Sequence, residues 1–245
     1  MAYLKKIVMN WDRVDDRNVY PYNVPGISHL GSLEIDRDVI FIAGENGAGK
    51  STFLEALAYK CGFTAGGGGR AVDLGLSDVS LKLASVLTLS WRQKIKQGFF
   101  LRAETFFDFA KYIDELARDY DPKKVYKPYG GKSLNEQSHG EAFLSLFANR
   151  FGGRGLFILD EPEAALSPQR QLAFLRIIFD LVKEGKAQFI IATHSPILMA
   201  YPGATIYSFE EGGLKIVEYE ETDHYRLTKA FLDNRERFFK HLFDD

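Results

Sequence analysis

A single cysteine, Cys61, stands among 245 residues, so no disulfide framework holds this chain together, and a reducing, cytoplasmic setting is expected. Cys61 itself is expected to pack as a small apolar residue. An excess of either charge is also missing. The 31 Lys and Arg against 33 Asp and Glu leave a formal net charge of −2, without the basic surplus that marks chains built to hold nucleic acid. Basic residues do cluster locally, at Arg92, Lys94, Lys96 and Arg102 and at Lys123, Lys124 and Lys127. No base-stacking aromatics are interleaved with them, so they read as solvated faces, and charge does not indicate a nucleic-acid partner.

Long apolar runs are absent as well. The start, "MAYLKKIVMNWDR", has no apolar core of the kind a secretory leader needs, so none is expected. Residues 188–209 carry no Asp, Glu, Lys or Arg and are about as long as a membrane span. They are interrupted by Thr193, His194, Ser195, Pro196, Pro202 and Gly203. Two short strands joined by a loop are predicted there, in a soluble chain with no membrane span.

What is present suits a packed core: 46% of residues are hydrophobic, enough for one domain over 1–245. Roughly 1–43 reads as β-rich, from "LKKIVM", "GSLEI" and "DVIFIAG" around the turn-rich "YPYNVPGIS". A helix is predicted over about 51–60. The stretch "GFTAGGGGRAVDLG", with four consecutive glycines, is expected to be a mobile loop. "VSLKLASVLTLSWRQ" and "GFFLRA" suggest strands, or a helix and a strand. "TFFDFAKYIDELARDY" is an amphipathic helix with Phe106, Phe109, Ala110, Ile113 and Leu116 on one stripe. Residues 121–132 read as a polar loop. "LFILD" and "AQFIIATH" are buried strands flanking a helix over "SPQRQLAFLRIIFDLVKEG". A hairpin is expected to turn at Gly212-Gly213, and a helical tail to occupy about 222–245. Strands alternating with helices imply an α/β fold with a parallel sheet, and about 105–150, lacking strand signals, is expected to form a helical lobe on it.

The most specific motif is "GENGAGKS", Gly44 to Ser51, which fits G-x-x-x-x-G-K-[ST] between an apolar strand and a helix. Its glycines let backbone N–H groups converge on one concavity, and the helix start adds a partial positive charge. The expected nucleotide contacts are Gly44, Glu45, Asn46, Gly47, Ala48, Gly49, Lys50, Ser51 and Thr52. Lys50 reaches the terminal phosphates and the Ser51 hydroxyl takes Mg²⁺. In "LFILDEPEAALS", Asp160 ends a buried strand and is expected at the Mg²⁺, with Glu161 placed to orient a water and accept its proton. An acidic strand end capping the next helix is the plainer alternative. In "ATHS", His194 ends a second buried strand and faces the crevice where parallel sheets bind ligands. A contact with the terminal phosphate is expected of it. "NEQSHGEAFLSLF" opens a helix with Ser138, Gly140 and Glu141 placed either as an anion-binding turn or as an ordinary capping box.

In that order, "GENGAGKS", "SHGE", "LFILDE", "EAALS" and "ATHS" resemble an ATP-binding-cassette (ABC) ATPase over about 33–209. The S-x-G-E form is closer to its soluble branch of chromosome-maintenance, recombination-repair and AAA-type ATPases. The resemblance implies a P-loop NTPase with a parallel core sheet, an N-terminal antiparallel β subdomain and a small helical lobe. It implies Mg²⁺-dependent ATP hydrolysis, catalysed by Lys50, Glu161 and His194, in an ATP-sandwiched head-to-tail homodimer. There Ser138, Gly140 and Glu141 of one copy complete the site of the other, and the switch drives an unidentified protein partner. The sequence departs from the family at Gln137, His139 and Ser167. The glutamine that would touch Mg²⁺ and link the lobes has only Glu104 as a candidate, and an adenine-stacking aromatic would be Tyr20 or Tyr22. The alternatives within this resemblance are the ATP-binding subunit of a membrane transporter and a DNA-repair or anti-phage module.

Overall fold

The computed structural model describes residues 3–63, 77–150, 154–210 and 213–243. The loop expected around the four glycines lies outside them apart from Gly62 and Phe63, as does the Gly212 half of the hairpin turn.

The chain begins with β1 (Leu4–Met9), a one-turn helix α1 (Pro25–Ser28), β2 (Ser32–Glu34), β3 (Val39–Gly44) and α2 (Lys50–Cys61). Then follow α3 (Asp78–Val86), β4 (Leu87–Trp91), β5 (Gly98–Arg102), α4 (Phe106–Asp119), α5 (Pro122–Tyr126) and α6 (His139–Arg150). The last part runs through β6 (Gly155–Asp160), α7 (Pro168–Lys183), β7 (Ala187–Ala192), α8 (Pro196–Met199), β8 (Thr205–Glu210), β9 (Gly213–Val217), α9 (Asp223–Asp233) and α10 (Arg235–Phe243).

Two sheets organise these elements. A six-stranded sheet has the order β5-β6-β7-β3-β8-β9, parallel except for the β8–β9 hairpin. Every residue of β3, β6 and β7 is buried. Their near-continuous apolar runs, with no alternation, are what a parallel sheet covered on both faces requires. On one face Phe53, Leu54 and Leu57 of α2 pack against the sheet; on the other lie Phe109 of α4, Phe143 of α6 and Phe174 of α7. The smaller antiparallel sheet has the order β2-β1-β4.

The β-rich opening therefore divides between the sheets. β3 joins the parallel core, and β4, from beyond residue 86, completes the antiparallel sheet. The buried side chain of Gln188 joins the two sheets: its Oε1 accepts from the N–H groups of Tyr3 and Leu4 at 3.0 and 2.8 Å, and its Nε2 donates to the Leu4 carbonyl at 3.1 Å. A buried amide with this many partners recovers its desolvation cost and fixes the two layers in one register.

Residues 105–150 hold helices and no strand among those described, as the sequence predicts. The polar loop expected at 121–132 is instead α5 followed by a 3-10 turn at Lys127–Tyr129. Asp121 caps it by accepting the Lys123 N–H at 3.0 Å, and Pro122 sits in the first turn, where its missing N–H costs nothing. Beneath it, the Asp114 carboxylate accepts from Tyr126 Oη, Ser133 Oγ and Asn135 Nδ2 at 3.0, 2.9 and 2.8 Å. One carboxylate thus anchors the turn that leads into α6. No described helix is long and apolar enough to cross a membrane.

Candidate nucleotide site

β3 ends at Gly44 in the middle of the parallel sheet, and the chain leaves its C-terminal edge to enter α2. Gly49, at the cap of α2, has φ +97°, a conformation that L side chains rarely adopt. Lys50 follows and is 4% exposed. Its ammonium folds over the loop and donates to the carbonyls of Gly44 at 2.7 Å and Glu45 at 2.9 Å. Burial pulls the Lys50 amine below its ordinary value, and the carboxylates of Glu161 and Asp160 oppose that shift.

Ser51 Oγ donates to Asp160 Oδ1 at 3.2 Å. Asp160 is the last residue of β6, 3% exposed, and burial pushes its carboxyl up to about 6 against the pull of Arg102. Arg102, the last residue of β5 and the register partner of Asp160, brings its Nε within 3.1 Å of Asp160 Oδ2, at an angle that leaves the Nε–H without a formed hydrogen bond. A hydroxyl and a buried carboxylate side by side form an all-oxygen donor pair suited to a hard divalent cation. Ser51 and Asp160 thus fit a Mg²⁺. Glu104, the third expected ligand, is 76% exposed at its side chain, and its ion pair is with Arg102 at 3.8 Å. No hydrogen bond ties it to Ser51 or Asp160.

Glu161 is the non-glycine residue with positive φ among those described, at φ 51° and ψ 51°. Its N–H still bonds Ala192 O at 2.9 Å, so the left-handed turn begins while the backbone is held by the neighbouring strand. The side chain points toward His194: Glu161 Oε1 lies 3.3 Å from His194 Nε2, within ion-pair reach but off hydrogen-bond geometry. The His194 N–H donates to Glu163 Oε1 at 2.6 Å. Burial raises the Glu163 carboxyl and lowers His194, whose imidazole is further depressed by Lys50 and His224. His194 Nδ1 is 2.8 Å from His224 Nε2. A cavity of about 400 Å³ opens beside the loop, between Gly44–Ala48 on one side and Phe209 and Thr222–His224 on the other.

Of the two aromatic candidates, Tyr20 is the one at the loop: its hydroxyl is 3.1 Å from Thr52 Oγ1, and the ring is 55% exposed. Tyr22 turns away to the Lys82 carbonyl and the edge of Trp11.

The Ser138 turn forms a separate cluster. Glu141 Oε2 accepts from the Ser138 N–H at 3.1 Å and from its hydroxyl at 2.6 Å. The half of a capping box in which the acid reaches back is thus formed, while the hydroxyl serves the same carboxylate rather than the helix. Arg170, two residues into α7, donates through Nη2 to Ser138 Oγ at 3.1 Å. Among the described residues no hydrogen bond or ion pair connects this turn to the Lys50 loop.

Four residues here escaped the sequence reading. Arg102 reads in the sequence as part of a solvated basic face. Glu163 lay inside "EAALS" without a role, Arg170 in a plain helix and His224 in the tail. A strand-end arginine two residues before Glu104 was a usable signal for the first; only tertiary structure finds the other three.

Comparison with known proteins agrees with the fold. A family model described as "AAA domain" matches residues 22–124, and one described as "AAA domain, putative AbiEii toxin, Type IV TA system" matches residues 142–200. A ribose/galactose/methyl galactoside import ATP-binding protein of Burkholderia lata is 29% identical over 182 residues, 66% of this chain and 35% of that protein. The chain therefore spans about a third of the length of that relative. The OLD nuclease of Thermus scotoductus is 34% identical over 91 residues, 34% of this chain and 16% of that protein. CbiO1 from Clostridium perfringens, part of the ABC transporter complex cbiONQ, superposes over 100% of both chains with a TM-score of 0.51 at 18% identity, which is likeness of fold. The phosphate loop, the sheet that carries it and these matches define the class: the chain is a nucleotide-binding ABC/AAA-type P-loop ATPase.

Proposed function

We propose that this chain hydrolyses ATP with Mg²⁺ in a head-to-tail homodimer, each nucleotide lying between the Lys50 loop of one copy and the Ser138 turn of the other. The observation that carries the reading is the division of the site. Lys50, Ser51, Asp160, Glu161 and His194 converge at the C-terminal ends of β3, β6 and β7, while Ser138, Gly140 and Glu141 cluster apart with Arg170. A serine hydroxyl at a helix start is chemistry for a phosphate; in its own copy this one is held by Glu141 and Arg170 away from the Lys50 loop, and a second copy could bring its nucleotide there.

Within one copy, the loop N–H groups and the Lys50 ammonium bind the β- and γ-phosphates, and the ammonium exchanges two carbonyl partners for phosphate oxygens. Ser51 and Asp160 would hold Mg²⁺, which supplies charge neutralisation on those oxygens. Glu161 orients the attacking water and takes its proton, and His194 Nε2–H donates toward the terminal phosphate. Tyr20, exposed beside Thr52, offers a ring face to the base. Closure of two copies on two nucleotides, and their separation after hydrolysis, would be the output passed to a protein partner.

For that output, the departures at Gln137, His139 and Ser167 favour a DNA-repair or anti-phage module over a transporter subunit. The test of the proposal is Glu161→Gln. It should bind ATP, fail to turn it over and run as a dimer on a sizing column in ATP and Mg²⁺. A monomer at saturating ATP would remove the shared site.

A further inference from the structure

The ring of His194 is gripped from behind by a second histidine that the nucleotide chemistry leaves unused. His194 Nδ1 lies 2.8 Å from His224 Nε2, with the ring centroids 4.9 Å apart and the planes at 60°. His224 is the second residue of α9, just past the buried cap Thr222, whose Oγ1 accepts the Tyr225 N–H at 3.3 Å and donates to the Tyr219 carbonyl at 2.8 Å. The start of α9 is therefore fixed, and His224 with Thr222 and Asp223 lines the cavity against Gly44–Ala48. On the far side of the ring, His194 Nε2 faces Glu161 Oε1 at 3.3 Å.

A donor count sets the polarity of this chain of groups. A neutral imidazole has one N–H and one lone pair, and an ionised carboxylate only accepts. At 3.3 Å from Glu161 Oε1, though off hydrogen-bond geometry, His194 Nε2 carries the proton in the polarity that avoids repulsion. Its Nδ1 is then the acceptor, and the 2.8 Å bond runs from the Nε2–H of His224. The reverse polarity would set a ring lone pair against carboxylate lone pairs. Burial lowers both histidines from their ordinary value, which favours the neutral rings this count assumes.

We propose that His224 is a positioning residue for the terminal-phosphate site: its Nε2–H locks the tautomer and ring plane of His194, which makes helix α9 a working part of that site. The inference rests on the ATPase reading for its consequence but not for its geometry. A merely packing role for His224 would be served as well by any ring of similar size. A positioning role needs the donor.

The experiment uses the full chain labelled with ¹⁵N in the histidine rings, with the His194 signals assigned through His194→Gln. In wild type, His194 should show one tautomer, protonated at Nε2. His224→Phe keeps the ring and removes the donor, and should give mixed tautomers. His224→Gln, which offers an Nε2–H, should restore the single form. In steady-state hydrolysis His224→Phe should lose on the order of tenfold in kcat with KM little changed, the size expected when the partner that orients a functional histidine is removed, and His224→Gln should recover it. Mixed tautomers in wild type overturn the proposal without any variant. So does an unaltered single tautomer in His224→Phe, or a glutamine variant no better than phenylalanine. Should the ring signals behave as stated while wild type consumes no ATP, the ATPase reading fails and the positioning role stands.

Discussion

Arg170 on α7 holds Ser138 at the head of α6: Nη2 donates to Ser138 Oγ at 3.1 Å and lies 3.5 Å from Glu141 Oε1. Gly140 lies directly beneath that side chain. A Cβ built there would stand 2.3 Å from Arg170 Nη1 and 2.5 Å from Cδ. Its missing side chain thus makes room for an arginine of its own copy, which covers the buried Gly140 backbone.

Gly140→Ala should therefore push Arg170 aside and release Ser138. Because the arginine is long and half-exposed, thermal stability should change by less than about 1 kcal/mol. Hydrolysis should fall by ten- to a hundredfold, roughly the loss that follows an ångström-scale misplacement of a reacting group. Melting temperature and ATP turnover, measured on one preparation, check both halves.

Ser138→Arg should leave nucleotide affinity nearly unchanged in dilute protein, where the chain binds as a monomer, and abolish turnover. Fluorescent-nucleotide titration beside a phosphate-release assay separates the two. Equal loss of binding would place Ser138 within the site of its own chain.

Glu161 holds φ 51°, a conformation costing an L residue about 1–2 kcal/mol that glycine avoids. Glu161→Gly should raise stability by about 1 kcal/mol over Glu161→Gln, which keeps the strained backbone. Both should be inactive. Urea unfolding of the pair isolates the strain, because the acid is lost in each.

The Asp160 carboxyl, pushed up to about 6 by burial, makes a pH prediction with a definite sign. A carboxyl whose folded value lies above its unfolded one stabilises the fold in its protonated form. That contribution is complete below about pH 4 and is lost as pH rises through about 6. In buffer with EDTA and no nucleotide, Asp160→Asn should thus be more stable than wild type at pH 7.5, by on the order of 3 kcal/mol, and the gap should close toward pH 4. Added Mg²⁺ and ATP should stabilise wild type more than the variant, which keeps the Lys50 loop but loses a Mg²⁺ ligand.

Much of this was legible in the sequence because the residues concerned are local. "DVIFIAGENGAGKS" spells a buried strand, a glycine turn and a helix start within one short run, and the structure has β3, the loop and α2 there. "LFILD" and "AQFIIATH" carry their functional residues at strand ends, where the parallel order of β6, β7 and β3 gathers them. Partners from distant segments were not legible. Arg102 meets Asp160 across 58 positions and His224 meets His194 across 30, and no periodicity announces either pairing. The tail is helical as expected, but its packing was not legible. Its apolar spacing is helical, and α9 and α10 form, yet Leu227, Leu232 and Leu242 are exposed, and Phe231, Phe238 and Phe239 pack mainly on one another. An apolar stripe reports a helix, not what covers it.

The most direct measurement mixes two dead variants. Lys50→Ala disables the loop, Ser138→Arg disables the turn, and each alone should consume no ATP. A head-to-tail pair made of one copy of each contains one site with both parts intact, so turnover should appear on mixing, rise with protein concentration and reach a maximum near equal amounts. A mixture as inactive as its components, with both variants folded, would contradict the shared site.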